Sequence, residues 1–183
     1  MKELSLHILD LAQNSIVAGA KLIEIEVAES KKNDSLTILI RDDGKGMAAD
    51  FAKTVTSPFS TTRTTRKVGL GIPLFEERAE MTGGRLSIRS EPGKGTELFA
   101  EFGLSHVDRV PMGDLAGTAF LLMNSNPQLD FRLLVRVDED EFMFDTRQIR
   151  EALGAEIPLN SPEVAAWMME SLKEGIESLH GGM

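Results

Sequence analysis

The amino-acid sequence predicts an α+β fold, a two-layer sandwich in which helices cover one face of a mixed, mostly antiparallel sheet. The first observation behind this prediction is the order of elements, which is helix, two strands, loop, helix and two strands over residues 4–104. The second is that a short turn joins each strand pair, as antiparallel neighbours allow. The pattern changes after residue 104, so we expect one domain over 1–104 and a small α+β extension over 105–183.

A helix and a strand pair are predicted first. Apolar residues recur at helical spacing, at Leu6, Leu9, Leu11 and Ile16. The helix begins at Leu4 in this prediction and ends at Gly19. Residues 22–27 alternate apolar and acidic side chains, which predicts a strand, and the sequence KKND predicts a turn into a second strand over 36–40.

A loop, a helix and another strand pair follow. Residues 47–68 contain PFSTTRTTRK and no apolar periodicity, which predicts a loop. A helical pattern over 70–81 stops at a pair of glycines. Strands over 85–90 and 96–102 flank the turn sequence EPGKG.

The C-terminal extension is predicted to mix strands and helices. Its predicted strands cover residues 118–123, 131–137 and 141–145. Thr146 is predicted to cap a short helix that ends at Gly154. Ser161 is predicted to cap a longer helix that begins with Pro162. The apolar stripe of that helix is expected to comprise Val164, Trp167, Met168, Leu172, Ile176 and Leu179.

The composition is that of a folded protein without cysteine chemistry. Of 183 residues, 42% are hydrophobic, and there is no cysteine for a disulfide or a thiolate metal site. The net charge of −9 disfavours a nucleic-acid partner, which needs clustered Lys and Arg. No apolar run approaches the roughly 20 residues that cross a bilayer, and the pattern of a secretion signal is missing. We therefore expect a cytoplasmic protein without membrane contact.

Three short motifs carry the candidate chemistry. Asp10 and Asn14 lie four residues apart in the first helix, so their side chains share one face. The sequence DDGKG follows the second strand, from Asp42 to Gly46, and GLG occupies residues 69–71. A carboxylate and a carboxamide in one site can divide the work of activating a hydroxyl and of binding magnesium. Glycines ahead of a helix let backbone N–H groups approach phosphate oxygens.

Each motif alone also has a structural explanation. Asp10 and Asn14 would suit any exposed helix face, DDGKG would suit a hairpin turn, and GLG would suit a loop before a helix. No complementary strand follows DDGKG directly, and the ordered set of motifs favours a nucleotide site. His7 is interpreted as a surface or partly buried helix residue, and Trp167 as part of the core or of a subunit contact.

Together these motifs resemble the GHKL superfamily, the ATPase fold shared by gyrase, heat-shock chaperones, histidine kinases and mismatch-repair ATPases. The segment LAQNSIVAGAKLIEIEV resembles the N-box of the mismatch-repair branch. The segments PFSTTR and GLGIPLFEERAEMTGGRLSIRSEPGKGTELFAEF resemble the catalytic domain of histidine kinases. The resemblance covers about residues 4–104. It implies a Bergerat-type ATP-binding fold with ATP and Mg²⁺ as cofactors.

The resemblance also implies roles for individual residues. Asn14 is expected to be the magnesium ligand, and Asp42 the acceptor for the exocyclic amine of adenine. Asp10 is expected to be a general base, where the hydrolytic branches have the longer glutamate. Asp43 is expected to face solvent. The other expected nucleotide contacts are Gly44, Gly46, Met47, Thr61, Thr62, Arg63, Gly69, Leu70, Gly71 and Thr96, with Arg66 and Lys67 as further cations near the phosphates.

The predicted function is that of an Mg-ATP-binding regulatory or signalling module with a protein partner or a second copy of itself. Only 13 residues precede Asn14, which leaves no room here for the helical hairpin that bears the phosphorylated histidine of sensor kinases. Two alternatives stay open, a kinase that phosphorylates a partner, as anti-sigma-factor kinases do, and a slow ATPase that switches conformation like the mismatch-repair proteins. In the expected mechanism, ATP orders residues 47–68 as a lid, and the lid changes a surface that a partner or residues 105–183 contact.

Overall fold

The structure is a computed structural model that describes residues 2–48 and 71–181. The helices are α1 (Leu4–Val17), α2 (Gly71–Glu80), α3 (Leu115–Ser125), α4 (Thr146–Leu153) and α5 (Pro162–Gly181). The strands are β1 (Leu22–Ser30), β2 (Ser35–Asp42), β3 (Arg85–Glu91), β4 (Gly95–Gly103), β5 (Asp130–Val137) and β6 (Asp140–Asp145). Within the described ranges, no helix combines the length and the apolar composition that a membrane span requires.

The six described strands form one mixed sheet in the order β3-β4-β2-β1-β5-β6. Strands β1 and β5 are parallel, and the other neighbours are antiparallel. Ile25 of β1 lies between Ile40 of β2 and Leu133 of β5. The predicted α+β class is confirmed. Strands from both sides of residue 104 belong to the same sheet, and the division into two domains at that residue stays a prediction.

One face of the sheet carries the hydrophobic core because the strands alternate in polarity. In β1, Ile23, Ile25 and Val27 are buried, whereas Glu24 and Glu26 point to the opposite face and are half-buried. The buried face forms one cluster with apolar residues of α1, α2, α3 and α5. Full burial of a side chain of this size contributes about 1.5–3 kcal/mol, so the cluster is the main source of stability.

Helix α1 contacts α2, α3 and β2, and it therefore brings the N-terminal motif to the sheet. It buries Leu4 and Ile8, whereas Leu6, which the sequence analysis placed on the apolar stripe, is 42% exposed. The first two N–H groups of α1 donate to the carbonyls of Pro111 and Met112, at 2.9 and 2.8 Å. These groups have no partner within the helix, so the segment before α3 completes the N-terminus of α1.

The predicted strand over 118–123 is wrong, because these residues belong to helix α3. The Asp114 carboxylate accepts a hydrogen bond from the Gly117 N–H at 2.8 Å and caps the helix. Helix α3 buries one face against α1 and α5, but apolar residues also occupy its other side, at the half-buried Phe120 and the exposed Leu121. The 3.6-residue period that distinguishes a helix from a strand is therefore hidden in this sequence.

Helix α4 follows β6 as predicted, but the predicted cap at Thr146 is wrong. The cap is Asp145, whose carboxylate accepts a hydrogen bond from the Arg147 N–H at 2.9 Å. Thr146 is the first residue of the helix. Its hydroxyl accepts from the Phe131 N–H at 2.9 Å and donates to Asp130 at 3.1 Å. That side chain joins α4 to β5 and is not available to cap the helix.

Helix α5 begins at Pro162, directly after Ser161, as the sequence predicts. Three members of the predicted apolar stripe, Val164, Met168 and Leu172, are buried. Trp167 differs, because 51% of it is exposed. The indole therefore lies at the border of the stripe and not within the core.

Candidate functional site

The Asp42 carboxylate, at the end of β2, is held by groups from two other parts of the chain. The Ser15 hydroxyl of α1 donates to its Oδ2 at 2.6 Å, and the Gly44 N–H donates to its Oδ1 at 2.9 Å. The side chain is half-buried. Each carboxylate oxygen can accept more than one hydrogen bond, so the fixed carboxylate retains acceptor capacity for a ligand.

The loop after Asp42 requires glycine at two positions. A Cβ on Gly44 would lie 2.8 Å from the Ala18 carbonyl oxygen. A Cβ on Gly46, where φ is +68°, would lie 2.1 Å from the Glu91 carbonyl oxygen. The Lys45 N–H between them donates to the Ala18 carbonyl at 2.9 Å. The loop therefore packs directly against the end of α1 and the end of β3, at a distance that a side chain at either glycine would prevent.

Asp43 is exposed, as expected, and it also has a structural role. Its Oδ1 accepts hydrogen bonds from the N–H groups of Lys21 and Leu22, at 2.7 and 3.0 Å. These contacts fix the start of β1 against the end of β2. The two adjacent carboxylates therefore differ, because Asp43 binds the backbone at the start of β1, whereas Asp42 is bound by the Ser15 hydroxyl of α1 and the Gly44 N–H.

Thr96 lies directly opposite Asp42 in the pairing of β2 with β4. Its hydroxyl lies 2.8 Å from the Ser90 hydroxyl, which accepts a hydrogen bond from the Met47 N–H at 2.7 Å. Four predicted contacts, Asp42, Gly46, Met47 and Thr96, are therefore gathered at one end of the sheet.

Asp10 lies against the first residue of α2. A Cβ built on Gly71 would lie 2.0 Å from Asp10 Oδ2, so a larger residue at position 71 would require this carboxylate or the start of α2 to shift. Burial raises the pKa of the Asp10 carboxyl above its usual value. The structure thus places the candidate base at a helix N-terminus, where backbone N–H groups lack partners within the helix.

The side chain of Asn14 has a polar atom without a hydrogen-bond partner, and this bears on whether the site fits ATP and magnesium. Its Nδ2 is buried and has no hydrogen-bond partner among the described residues. A buried amide without a partner costs about 1–3 kcal/mol, which a polar ligand removes. Amide oxygen is also a ligand type that magnesium accepts in proteins. Together with the loop that only glycine fits, this donor set is compatible with a nucleotide and its metal ion.

Several expected site residues lie outside the part of the chain that the structure describes. They are Thr61, Thr62, Arg63, Gly69 and Leu70, together with Arg66, Lys67 and nearly all of the expected lid over 47–68. The described ranges contain no group of three or more His, Asp or Glu side chains that is arranged to hold a metal ion. Any magnesium at Asn14 would therefore have few protein ligands, as is usual for magnesium that is held mainly by phosphates.

His7 is buried more deeply than the sequence analysis expected. Only 1% of it is exposed, its ring lies 5.3 Å from the Phe75 ring, and neither ring nitrogen has a partner among the described residues. Burial, followed by the positive charges of the N-terminus and Arg78, lowers its pKa to about 4. A neutral, enclosed imidazole of this kind is part of the packing between α1 and α2.

Sequence reasoning missed Ser15 and Ser90. Ser15 follows Asn14 directly, and its partner Asp42 is 27 positions away. Ser90 is the last residue but one of β3, and its hydroxyl accepts a hydrogen bond from the Met47 N–H, 43 positions away. In the sequence, these serines could have been noticed only because they lie next to motifs already identified. No pattern of spacing marks a serine that supports a binding site.

Comparison with known proteins agrees with this geometry. The family model described as histidine kinase-, DNA gyrase B-, and HSP90-like ATPase matches residues 2–106, more than half of the chain. The chain is 33% identical over 106 residues to "Sensor histidine kinase ZraS" of Escherichia coli K12, covering 58% of this chain and 23% of that protein. It is 23% identical over 163 residues to "Virulence sensor protein BvgS" of Bordetella bronchiseptica, covering 86% of this chain and 13% of that protein.

Among solved structures, the N-terminal domain of a DNA repair protein is similar in fold. Its TM-score is 0.54 at 13% sequence identity, and the match covers 85% of this chain and 58% of that one. This likeness shows the fold alone. The chain spans less than a quarter of the length of the two sensor proteins. The match of the family model over the residues that build the site shows that the chain belongs to the histidine kinase-, DNA gyrase B- and HSP90-like ATPase family.

Proposed function

We propose that this chain binds ATP together with magnesium in the site formed around Asp42, Asn14 and Asp10. The observation that carries the proposal is the Asp42 carboxylate, which Ser15 and Gly44 hold at the end of β2. Membership of a family of ATPases supports the choice of nucleotide.

The adenine ring is proposed to bind at Asp42. A carboxylate in a fixed position accepts a hydrogen bond from the exocyclic amine of adenine, which is a donor that guanine does not present at that position. The glycines at positions 44 and 46 let the loop after Asp42 pack against the Ala18 and Glu91 carbonyls, which fixes the loop beside the carboxylate. Thr96, which lies opposite Asp42, supplies a hydroxyl beside the same end of the sheet.

The triphosphate is proposed to lie between Asn14 and the start of α2. The Asn14 carboxamide would hold magnesium, and the backbone N–H groups near Gly71 would receive phosphate oxygens. When bound, the metal ion offsets the negative charge of the phosphates and favours phosphoryl transfer. The unused Nδ2 of Asn14 is a hydrogen-bond donor, and it supports the placement of phosphate oxygens beside this side chain.

Asp10 is proposed to be the general base. It lies one helical turn before Asn14, and burial raises the pKa of its carboxyl, which makes it a better proton acceptor. From this position the Asp10 carboxylate would accept a proton either from the hydroxyl of a protein substrate or from a water molecule. A kinase acting on a partner and a slow ATPase are therefore the two enzymatic forms of this proposal.

The biological role is proposed to be regulatory or signalling, with a protein partner or a second copy of the chain. The printed names of the relatives, a sensor histidine kinase and a virulence sensor, support signalling. A phosphoryl acceptor, where one is used, is proposed to lie on another protein. The cytoplasm is the proposed location because it supplies ATP.

The binding part of the proposal is tested by calorimetry with ATP and magnesium. The Asp42→Asn substitution is expected to weaken ATP binding about 100-fold, since it replaces an acceptor with a donor toward the adenine amine. The matched control is Asp108→Asn, which removes an exposed carboxylate from the loop before α3. Equal affinity of the Asp42→Asn variant and the wild type would remove the adenine assignment.

The reaction is tested by product analysis. Wild-type and Asp10→Asn proteins are incubated with labelled ATP, with and without extract proteins. A labelled partner indicates a kinase, released phosphate indicates an ATPase, and unchanged ATP indicates a nucleotide sensor. We expect the Asp10→Asn variant to bind ATP but to form neither product. Unchanged turnover in this variant would assign Asp10 a structural role.

A further inference from the structure

A second site lies at the free edge of the sheet, in a groove between β6, α4 and α5. Strands β1 and β5 separate it from β2, which carries Asp42. The groove has a volume of about 620 Å³. Its apolar lining includes Phe142, Met143, Phe144, Ile149, Val164 and Trp167. We call this lining the edge groove.

The edge groove exposes apolar surface that the fold itself does not cover. Trp167 is 51% exposed, and Met143 on β6 is 45% exposed. The Trp167 ring lies 5.9 Å from the Phe144 ring, so the indole is positioned by packing against β6. In the part of the chain that the structure describes, β6 has a strand on one side only. Exposed aromatic surface beside an edge strand is typical of a surface that binds another chain.

The rim of the edge groove is acidic. Glu163 lines the groove on the α5 side and is exposed. Glu170 and Glu174 extend this acidic side along α5, because they are exposed and lie three and seven residues after Trp167, on the same face of the helix. The guanidinium of Arg147 at the start of α4 is already paired with the Asp145 carboxylate at 2.7 Å. Carboxylates beside an apolar surface attract a partner segment that carries positively charged side chains next to its apolar ones.

We propose that the edge groove binds a basic amphipathic segment of a partner protein, in which bulky apolar residues insert between α4 and α5 and Lys or Arg residues face the α5 carboxylates. Charge selects this occupant over the alternatives. A second copy related by two-fold symmetry would oppose two sets of the same carboxylates. An anionic membrane surface would repel them. The proposal concerns a site separate from the nucleotide site and does not depend on ATP binding.

The test uses the single tryptophan of the chain as a reporter. The full-length protein is titrated with a synthetic 12-residue peptide of alternating Leu and Lys. The expected result is a blue shift of Trp167 fluorescence, because the indole leaves water. Binding is expected to weaken about tenfold between low and high salt, since the contacts with the rim are screened. A peptide with Glu in place of Lys is expected to cause no shift.

Charge reversal on α5 isolates the rim. The double variant Glu163→Lys, Glu170→Lys is expected to bind the Leu–Lys peptide about tenfold more weakly. The matched control is Glu77→Lys, Glu80→Lys, which makes the same charge change on exposed positions of α2. Circular dichroism checks that both double variants are folded. If either is not, the salt titration of the wild-type protein still tests the role of charge.

Three outcomes would overturn the proposal. One is equal binding of the Lys and Glu peptides. Another is a dimer in light scattering whose Trp167 fluorescence is already blue-shifted without peptide, which would assign the groove to a second copy. The third is a blue shift with anionic phospholipid vesicles and none with the peptide, which would assign it to a membrane surface.

Discussion

At the scale of single residues, the hydrogen bond from Ser15 is what fixes the direction of Asp42. The Ser15→Ala substitution removes the donor at 2.6 Å and leaves the carboxylate with the Gly44 N–H alone. We expect ATP affinity to fall about tenfold, since a hydrogen bond to a charged group contributes about 1.5–3 kcal/mol and water replaces part of it. Calorimetry with Mg-ATP measures this. Equal affinity of the variant and the wild type would show that Asp42 is positioned without Ser15.

His7 makes stability depend on pH. Its pKa is about 4 in the folded protein and 6.5 in the unfolded chain, so between these values the unfolded chain binds a proton that the folded protein does not. The contribution to stability is complete above pH 6.5 and is lost as pH falls toward 4. The expected slope is about 1.4 kcal/mol per pH unit for one proton.

Chemical denaturation of wild-type and His7→Leu proteins between pH 4 and 7 measures that slope. The difference between the two proteins isolates His7, because the carboxylates titrate in both. The control is Leu6→Ala, at an exposed position of the same helix that does not titrate, which is expected to leave the slope unchanged. A His7→Leu protein with the wild-type slope would show that the imidazole is protonated without unfolding.

Individual residues were predictable from sequence only where a motif names them. Asp42, Gly44 and Gly46 belong to DDGKG, and the structure places them together. Ser15 and Ser90 were not predictable, because their role depends on residues 27 and 43 positions away that meet only in the folded sheet. His7 has a polar side chain but a role in packing. That role follows from its burial in the fold, which the residue type alone does not reveal.

At the scale of elements, the contact between α1 and α2 depends on one glycine. In the Gly71→Ala variant a methyl group would lie 2.0 Å from Asp10 Oδ2, so either the carboxylate or the start of α2 must move. We expect Mg-ATP binding to weaken about tenfold, because the N–H groups proposed to receive phosphate move with α2. Leu74→Ala, an exposed position in the same helix, is the control. Wild-type affinity in calorimetry would show that the contact adjusts without cost to the site.

The cap of α3 offers a second test. The Asp114→Ala substitution removes the acceptor for the Gly117 N–H and is expected to lower the free energy of unfolding by about 1 kcal/mol. The midpoint of urea denaturation measures it, with Asp108→Ala, which lies outside the helix, as the control. A midpoint unchanged by Asp114→Ala would mean that water caps the helix equally well.

Elements with a clear period were predicted well, and α3 was not. Strands β1 and β2 alternate along one buried face, so their period of two is visible in the sequence. Helix α3 is covered by α1 and α5, and the run TAFLLM satisfies a buried strand as well as a buried helix. Its neighbours in space determine its conformation, and these are known only from the tertiary structure.

At the scale of the whole molecule, the order of strands was beyond sequence reasoning. Strand β5 pairs in parallel with β1, and nothing local in either strand specifies a partner so distant in the chain. The pairing means that residues 105–183 complete the sheet that begins in residues 1–104. The predicted extension over 105–183 contributes residues to the same hydrophobic cluster as the first part of the chain, and the domain boundary at residue 104 stays a prediction.

Truncation tests whether residues 1–104 form a domain by themselves. Without residues 105–183, β1 loses β5, and the first N–H groups of α1 lose the Pro111 and Met112 carbonyls. We expect the fragment to lack a cooperative thermal transition and to bind a hydrophobic dye. The full chain under the same buffer conditions is the control. A cooperative transition close to that of the full chain would establish the boundary at residue 104.

The parallel pairing of β1 with β5 also constrains how the protein is made. Glu24 and Arg132, which bond across these strands, are 108 positions apart. At about 5–20 residues per second, the ribosome needs several seconds to add the intervening chain. Until then the first N–H groups of α1, the helix that carries Asp10 and Asn14, lack their partners at Pro111 and Met112. One edge of β1 is also unpaired until β5 is made. The site around Asp42, Asn14 and Asp10 is therefore completed late in translation, and until then β1 exposes an unpaired edge of the kind that favours aggregation.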